Sequence, residues 1–214
     1  MTAPFPARPI NGGPYTGRPK PAGSWIYEPK VNGWRAVIHR PTGRMFNRHG
    51  RELSIASEFA PILDQLRTGT PPPGWHAPIW LDAEVFERRH PHGRGSLVLF
   101  DLIPSDDDEK TLAFPARIAR LHNAFAHLPC FERWADLSHV PTGKLLMFDR
   151  RYSDGPGDLT ETPGHAWFHL QGINATLAAP VFEGLVAKRI DRPYPFITRD
   201  DHETPTWVKH RWQF

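Results

Sequence analysis

Short segments of β-branched and aromatic residues, parted by proline and glycine, recur along the whole chain and leave little room for helices. Residues 24–30, 34–40, 44–48, 79–86, 96–103, 145–148, 184–188 and 206–211 all have this character. Helical spacing is confined to two stretches. In one, Phe59, Ile62, Leu63 and Leu66 follow Ser54 as a candidate N-cap and run to Gly69; in the other, Ile118, Leu121, His122, Phe125 and Leu128 share a face. Pro61 falls within the first turns of the first stretch and blurs its start. Strands without strict β–α alternation predict an α+β fold of largely antiparallel sheets flanked by helices. The unbroken apolar run 96–103 predicts a strand buried on both faces.

The prolines lie mostly between these segments, as loop punctuation. Residues 1–23 concentrate Pro4, Pro6, Pro9, Pro14, Pro19 and Pro21 and read as an extended arm along the domain. Asp106 to Glu109 reads as a solvated acidic loop or the start of a helix, and Gly155-Pro156-Gly157 and Pro163-Gly164 as turns. With no linker apparent, the expectation is a single domain over 1–214.

With 39% hydrophobic residues, 8 Trp and 13 Phe, the chain has material for a core, which excludes a disordered protein. The balance of 26 basic against 23 acidic residues favours a polyanionic partner only mildly. Cys130 is the single cysteine, so an intramolecular disulfide and a multi-cysteine zinc site are excluded. That usage points to a reducing compartment. No apolar run approaches the roughly 20 residues of a membrane span, and the amino terminus lacks a signal-peptide core. The expectation is a soluble cytoplasmic monomer with no membrane partner.

The stretch 27–35 carries the chemistry. Lys30 sits between apolar residues, Asn32 and Gly33 form a turn signal behind it, and Arg35 follows. This suggests a strand end aiming one amine into a pocket, where a free-base amine is a nucleophile for phosphorus. Desolvation or neighbouring cations such as Arg35 would be needed to free that base. Taken alone, such a lysine is more simply a surface residue beside a hairpin. Glu84 and Glu183 taken alone are solvated-face carboxylates, and Lys209 and Arg211 are ordinary alternation on an exposed strand face. His90 and His92, in the basic tip 88–94, lack further ligands at metal spacing, and Cys130 reads as a buried apolar residue.

The stretch resembles the K-x-D-G-x-R motif of covalent nucleotidyltransferases, the superfamily of ATP-dependent DNA ligases, RNA ligases and mRNA capping enzymes. Asn32 stands where most members have aspartate, as it does in fungal tRNA ligases, and Glu28 matches a glutamate common in DNA ligases. The resemblance continues in family order through Arg48, Asp82-Ala83-Glu84, Phe100-Asp101, Glu183 to Lys188, and Trp207 to Arg211. It covers almost the whole chain and is most similar to short bacterial ATP-dependent DNA ligases and the ligase module of bacterial end-joining enzymes.

The resemblance implies a nucleotidyltransferase domain, ATP-grasp-like in fold, that takes AMP from ATP onto Lys30, passes it to a 5′-phosphate and seals nicks in duplex DNA. By the same resemblance, Lys209, Lys188 and Arg211 face the nucleotide phosphate, and Glu183, with Glu84, holds Mg²⁺ or Mn²⁺. Glu84 and Arg35 hold the ribose, Phe100 stacks on adenine, Glu28 reads the adenine edge, and Arg48 takes the nucleic-acid 5′-phosphate. Arg211 replaces a family lysine, and Asn32 removes an anion that would otherwise stabilise the Lys30 ammonium. In the family an OB-fold domain follows, whereas this sequence stops at Phe214. The expectation is a minimal ligase, a fragment, or a chain that takes the missing surface from a partner. The alternatives are an RNA ligase or repair enzyme, supported by Asn32, and a catalytically silent nucleotide- or nucleic-acid-binding module.

Overall fold

The structure is a computed structural model that describes residues 2–17, 24–149, 151–153 and 162–212. Two sheets and their flanking helices make up the fold. The first sheet contains β1 (Pro9–Asn11), β2 (Trp25–Val31), β9 (Tyr152–Ser153), β10 (Phe182–Arg189) and β11 (Thr204–Arg211), in the order β1-β11-β10-β2-β9. The second contains β3 (Trp34–His39), β4 (Arg44–Phe46), β5 (Trp80–Phe86), β6 (Ser96–Ile103), β7 (Phe131–Trp134) and β8 (Leu145–Phe148), in the order β4-β3-β5-β6-β8-β7. Most neighbours are antiparallel; β1–β11, β6–β8 and β7–β8 are parallel.

Alternation along the strands decides which way each sheet faces. On β3, β5 and β6 the side chains of Ala36, Ile38, Leu81, Ala83, Val85, Leu97 and Leu99 join a core with α1 (Ala60–Thr68) and α3 (Phe114–Phe125). Their neighbours one position along, Arg35, Asp82 and Glu84 among them, therefore face the opposite side. On the first sheet, Tyr27, Val31, Leu185, Ala187 and Val208 pack with Ala166, Trp167 and Leu170 of α4 (Pro163–Thr176). That leaves Glu28, Lys30, Lys188, Lys209 and Arg211 on the other face. Each sheet thus seals one side with apolar residues and turns a charged side toward the space between them.

The predicted strands are present, and 96–103 is buried along its length except for the half-buried Phe100. Several local features differ from expectation. Pro61 lies in the first turn of α1, where its missing N–H is unneeded, and a 3-10 turn over Ala56–Phe59 replaces the Ser54 cap. Helix α3 starts at Phe114 with Pro115 in its first turn, earlier than the apolar spacing indicates. As the helix-start reading of 106–109 has it, Asp106 caps α2 (Asp107–Thr111) by accepting from Glu109 N at 2.7 Å. Pro163 and Gly164 open α4 instead of forming a turn, with Thr162 Oγ1 accepting from His165 N. Gly155-Pro156-Gly157 lie outside the described residues. Part of the arm pairs with β11 as β1. No helix among the described residues is long and apolar enough to cross a membrane.

Candidate active site

Three adjacent strands, β2, β10 and β11, present the charged face in register. Lys30, Gly184 and Arg211 form one cross-strand row, Glu28, Val186 and Lys209 the next, and Ile26, Lys188 and Trp207 the third. Steps of two along each strand keep these residues on one face. Glu183 escapes the alternation because the β2–β10 register shifts between Phe182 and Gly184. Gly184 has φ +143°, and a Cβ there would lie 1.9 Å from the His210 carbonyl oxygen, so only glycine fits. The irregularity lets one carboxylate serve two strands: Glu183 Oε1 accepts from Lys30 Nζ at 2.8 Å and Oε2 pairs with Arg211 Nε at 3.0 Å.

The second sheet supplies the opposing wall. Arg35 is opposite Glu84 on β5 and makes a bidentate pair with buried Asp82, at 2.8 and 2.5 Å. Tyr194 donates to the same carboxylate at 2.8 Å. Gly33 allows the turn after Lys30 to lie against β5: a Cβ there would stand 2.7 Å from Val85 O and 2.9 Å from Glu84 Cγ. Its N–H donates to Glu84 Oε1 at 3.2 Å. Phe100 is the extra residue where the β5–β6 register shifts, and it reaches the cavity edge.

The ten positions to which the resemblance gives a role, Glu28, Lys30, Arg35, Arg48, Glu84, Phe100, Glu183, Lys188, Lys209 and Arg211, line one cavity of about 440 Å³. Its lining holds seven lysines and arginines against four carboxylates. Three carboxylates each stand between two cations. Glu183 holds Lys30 and Arg211, and Glu28 holds Lys188 and Arg151, each at 2.6 Å. Glu203 stands 3.5 Å from both Arg8 and Lys209. A wall with surplus positive charge and few free acceptors suits an anion with several oxygens.

Burial tunes these groups. It raises the Glu28 carboxyl, but Lys188 and Arg151 outweigh it and hold the group below the usual carboxylate range. Glu84 lacks such partners at close range, and burial pushes it to about 7. Burial also lowers the Lys209 amine, with Glu203 opposing the shift. Lys188 lies 4.2 Å from the Trp207 ring centre and 5.0 Å from that of Phe114, in an aromatic enclosure that stabilises a cation.

Arg48 is held at the rim. Its Nε donates to His49 Nε2 at 3.0 Å, and His49 Nδ1 lies 2.8 Å from Asp200 Oδ2. Asn32 does not line the cavity; its amide donates to the Pro180 carbonyl at 3.2 Å. His90 Nε2 lies 3.1 Å from the Asn32 carbonyl, so the basic hairpin tip braces the turn behind Lys30. Among the described residues no three His, Cys, Asp or Glu side chains are grouped to hold a metal ion. Glu183 and Glu84 fit instead the sparse carboxylate donation of a Mg²⁺ site completed by phosphate oxygens and water.

Arg151, Arg8 and Glu203 had no place in the expected site, and Trp207 stood in a motif without a role. Trp207 was legible as the next step of two before Lys209 and Arg211. The other three belong to no motif, and only tertiary pairing brings them to these charges.

No family model matches the sequence. Among curated proteins none matches either. Solved structures do match in fold. The ligase domain of M. tuberculosis LigD aligns with a TM-score of 0.58 at 19% identity, covering 97% of this chain and 59% of that one. Mycobacterial DNA ligase D complexed with ATP and MES gives 0.56 at 19% identity, covering 97% and 60%. Chlorella virus DNA ligase-adenylate gives 0.51 at 15% identity, covering 98% and 68%. The chain thus spans about three fifths of the length of the first two. By its architecture, two sheets flanked by helices around a charged cavity, the chain has the nucleotidyltransferase fold of ATP-dependent DNA ligases.

Proposed function

We propose that this chain is the adenylating domain of an ATP-dependent polynucleotide ligase, with nicked duplex DNA as its substrate. The observation that carries the reading is the convergence of Lys30 and nine other motif positions on one cavity. A solved structure of the same fold binds ATP, which supports ATP as the nucleotide.

Lys30 Nζ attacks the α-phosphorus of ATP. The N–P bond forms as the bond to the bridging oxygen breaks, and pyrophosphate leaves. Nζ, an ammonium in its pair with Glu183, passes one proton to Glu183 Oε1, 2.8 Å away, before it attacks, and the second proton leaves with the pyrophosphate. Lys209, Lys188 and Arg211 balance charge on the phosphate. Arg35 and Glu84 hold the ribose, Phe100 covers the adenine, and Glu28 faces the base edge. Glu183 and Glu84 would hold Mg²⁺ or Mn²⁺, which would supply further charge neutralisation at the phosphate. AMP then passes to the 5′-phosphate of a nick held at Arg48, and the adjacent 3′-hydroxyl displaces AMP to join the strand.

A gel assay on a labelled nicked duplex with ATP and Mg²⁺ tests the whole sequence, scored for 5′-adenylated intermediate and sealed product. Nicked RNA and hybrid duplexes in parallel separate DNA from RNA ligation. Nucleotide binding with neither product would leave only a silent binding module.

A further inference from the structure

The arm brings a cation to the cavity that no motif predicts. β1 runs parallel to β11, with Ile10 opposite Val208 and Asn11 opposite Lys209, so the residue just before it reaches the cavity wall. That residue is Arg8. Its backbone is fixed by the hydrogen bond its carbonyl accepts from Thr204 N at 2.8 Å. Its Nη1 donates to the Asp200 carbonyl at 3.1 Å, and the side chain lines the cavity beside Lys209.

The contacts at the other nitrogens are loose. Arg8 Nε is buried and makes no hydrogen bond among the described residues; Glu203 Oε1 stands 3.5 Å away. Lys209 Nζ is 3.5 Å from the same oxygen. Charge-assisted hydrogen bonds normally close to about 2.7–2.9 Å, as Lys30–Glu183 and Lys188–Glu28 do nearby, at 2.8 and 2.6 Å. One carboxylate oxygen is therefore stretched between two cations that it satisfies poorly. A phosphate offers several oxygens in different directions and would let both cations close to full contact. A contact meant only to strap the arm down would gain by closing on Arg8 alone.

We propose that Arg8 is a phosphate-binding residue of the nucleotide site and that Glu203 is a stand-in that the nucleotide triphosphate displaces from Arg8 and Lys209. The assignment rests on the reading of the cavity as an ATP site. It gives the amino-terminal arm a part in holding the substrate, beyond covering the edge of β11.

The test compares binding of α,β-methylene ATP, which cannot release pyrophosphate, with binding of adenosine by titration calorimetry in Mg²⁺. Arg8→Ala should weaken the triphosphate about tenfold and leave adenosine unchanged, and Arg8→Lys should restore part of the loss. Glu203→Gln should tighten the triphosphate several-fold, since the competing anion is gone. Equal changes for both ligands in Arg8→Ala, or unchanged or weaker triphosphate binding in Glu203→Gln, would overturn the assignment. Wild type that binds the analogue while its variants behave in this second way defeats only the role of Arg8. Wild type that binds neither ligand defeats the nucleotide reading and this inference together.

Discussion

Replacing Glu28 by glutamine removes one charge at the most deeply buried ionic group of the cavity. Glu28 is 2% exposed, and the Lys188 side chain beside it is 3% exposed. Removing one partner of a buried pair leaves the other charge without compensation and typically costs about 3–5 kcal/mol. Two features pull the value to the lower end. Glutamine keeps the volume and one acceptor, and Lys188 retains Trp207 at 4.2 Å. The expected loss is about 3 kcal/mol, roughly 6–12 °C in Tm for a chain of this size. Urea unfolding followed by tryptophan fluorescence measures it directly. The pH dependence supplies a second check. Because the folded Glu28 carboxyl lies below its ordinary value of 4.5, its contribution is complete above that pH and fades as pH falls through the lower folded value. The gap between wild type and Glu28→Gln should therefore be widest near neutrality and shrink below pH 4.5. By contrast, Glu183→Gln should cost about 1 kcal/mol, since Glu183 and Lys30 each keep 16% side-chain exposure. A loss below about 1 kcal/mol in Glu28→Gln at pH 7, or a gap constant into acid, would refute the reasoning.

Two further perturbations probe neighbouring parts of the wall. Glu84, raised to about 7, is protonated in the fold and ionised in the unfolded chain between pH 4.5 and 7, so its contribution falls as pH rises through that window. Glu84→Gln should abolish this decline in urea titrations and remove an apparent titration near 7 from the pH profile of lysine adenylation; an unchanged slope in the variant would contradict it. Gly184→Ala forces a Cβ into the His210 carbonyl and should cost about 3 kcal/mol while abolishing adenylation. Wild-type stability in that variant would mean that the bulge carrying Glu183 is not constrained as described.

The readable parts of this chain are those where period and chemistry agree. Strand β6 could be delimited because its apolar run is continuous, and the charged row on β11 because Trp207, Lys209 and Arg211 alternate with core residues. Helix α4 was hidden by Pro163-Gly164, which reads as a turn, and by Phe168, 72% exposed beside buried Trp167, which blurs the apolar stripe. The three-residue β1 opens with a proline and takes its structure wholly from β11. The cavity wall divides in the same way. Lys30 and Lys209 stand in patterned strands, whereas Glu183 sits where the alternation breaks, and Arg151 and Arg8 reach these charges only through ion pairs spanning the fold.

Intact-mass and peptide mass spectrometry of the purified chain after incubation with ATP and Mg²⁺ or Mn²⁺ bears most directly on Lys30 as nucleophile. The expected result is the added mass of one AMP moiety, located on Lys30, discharged by pyrophosphate and absent in Lys30→Ala. An unmodified wild type, or an adduct that persists in Lys30→Ala, would contradict the account.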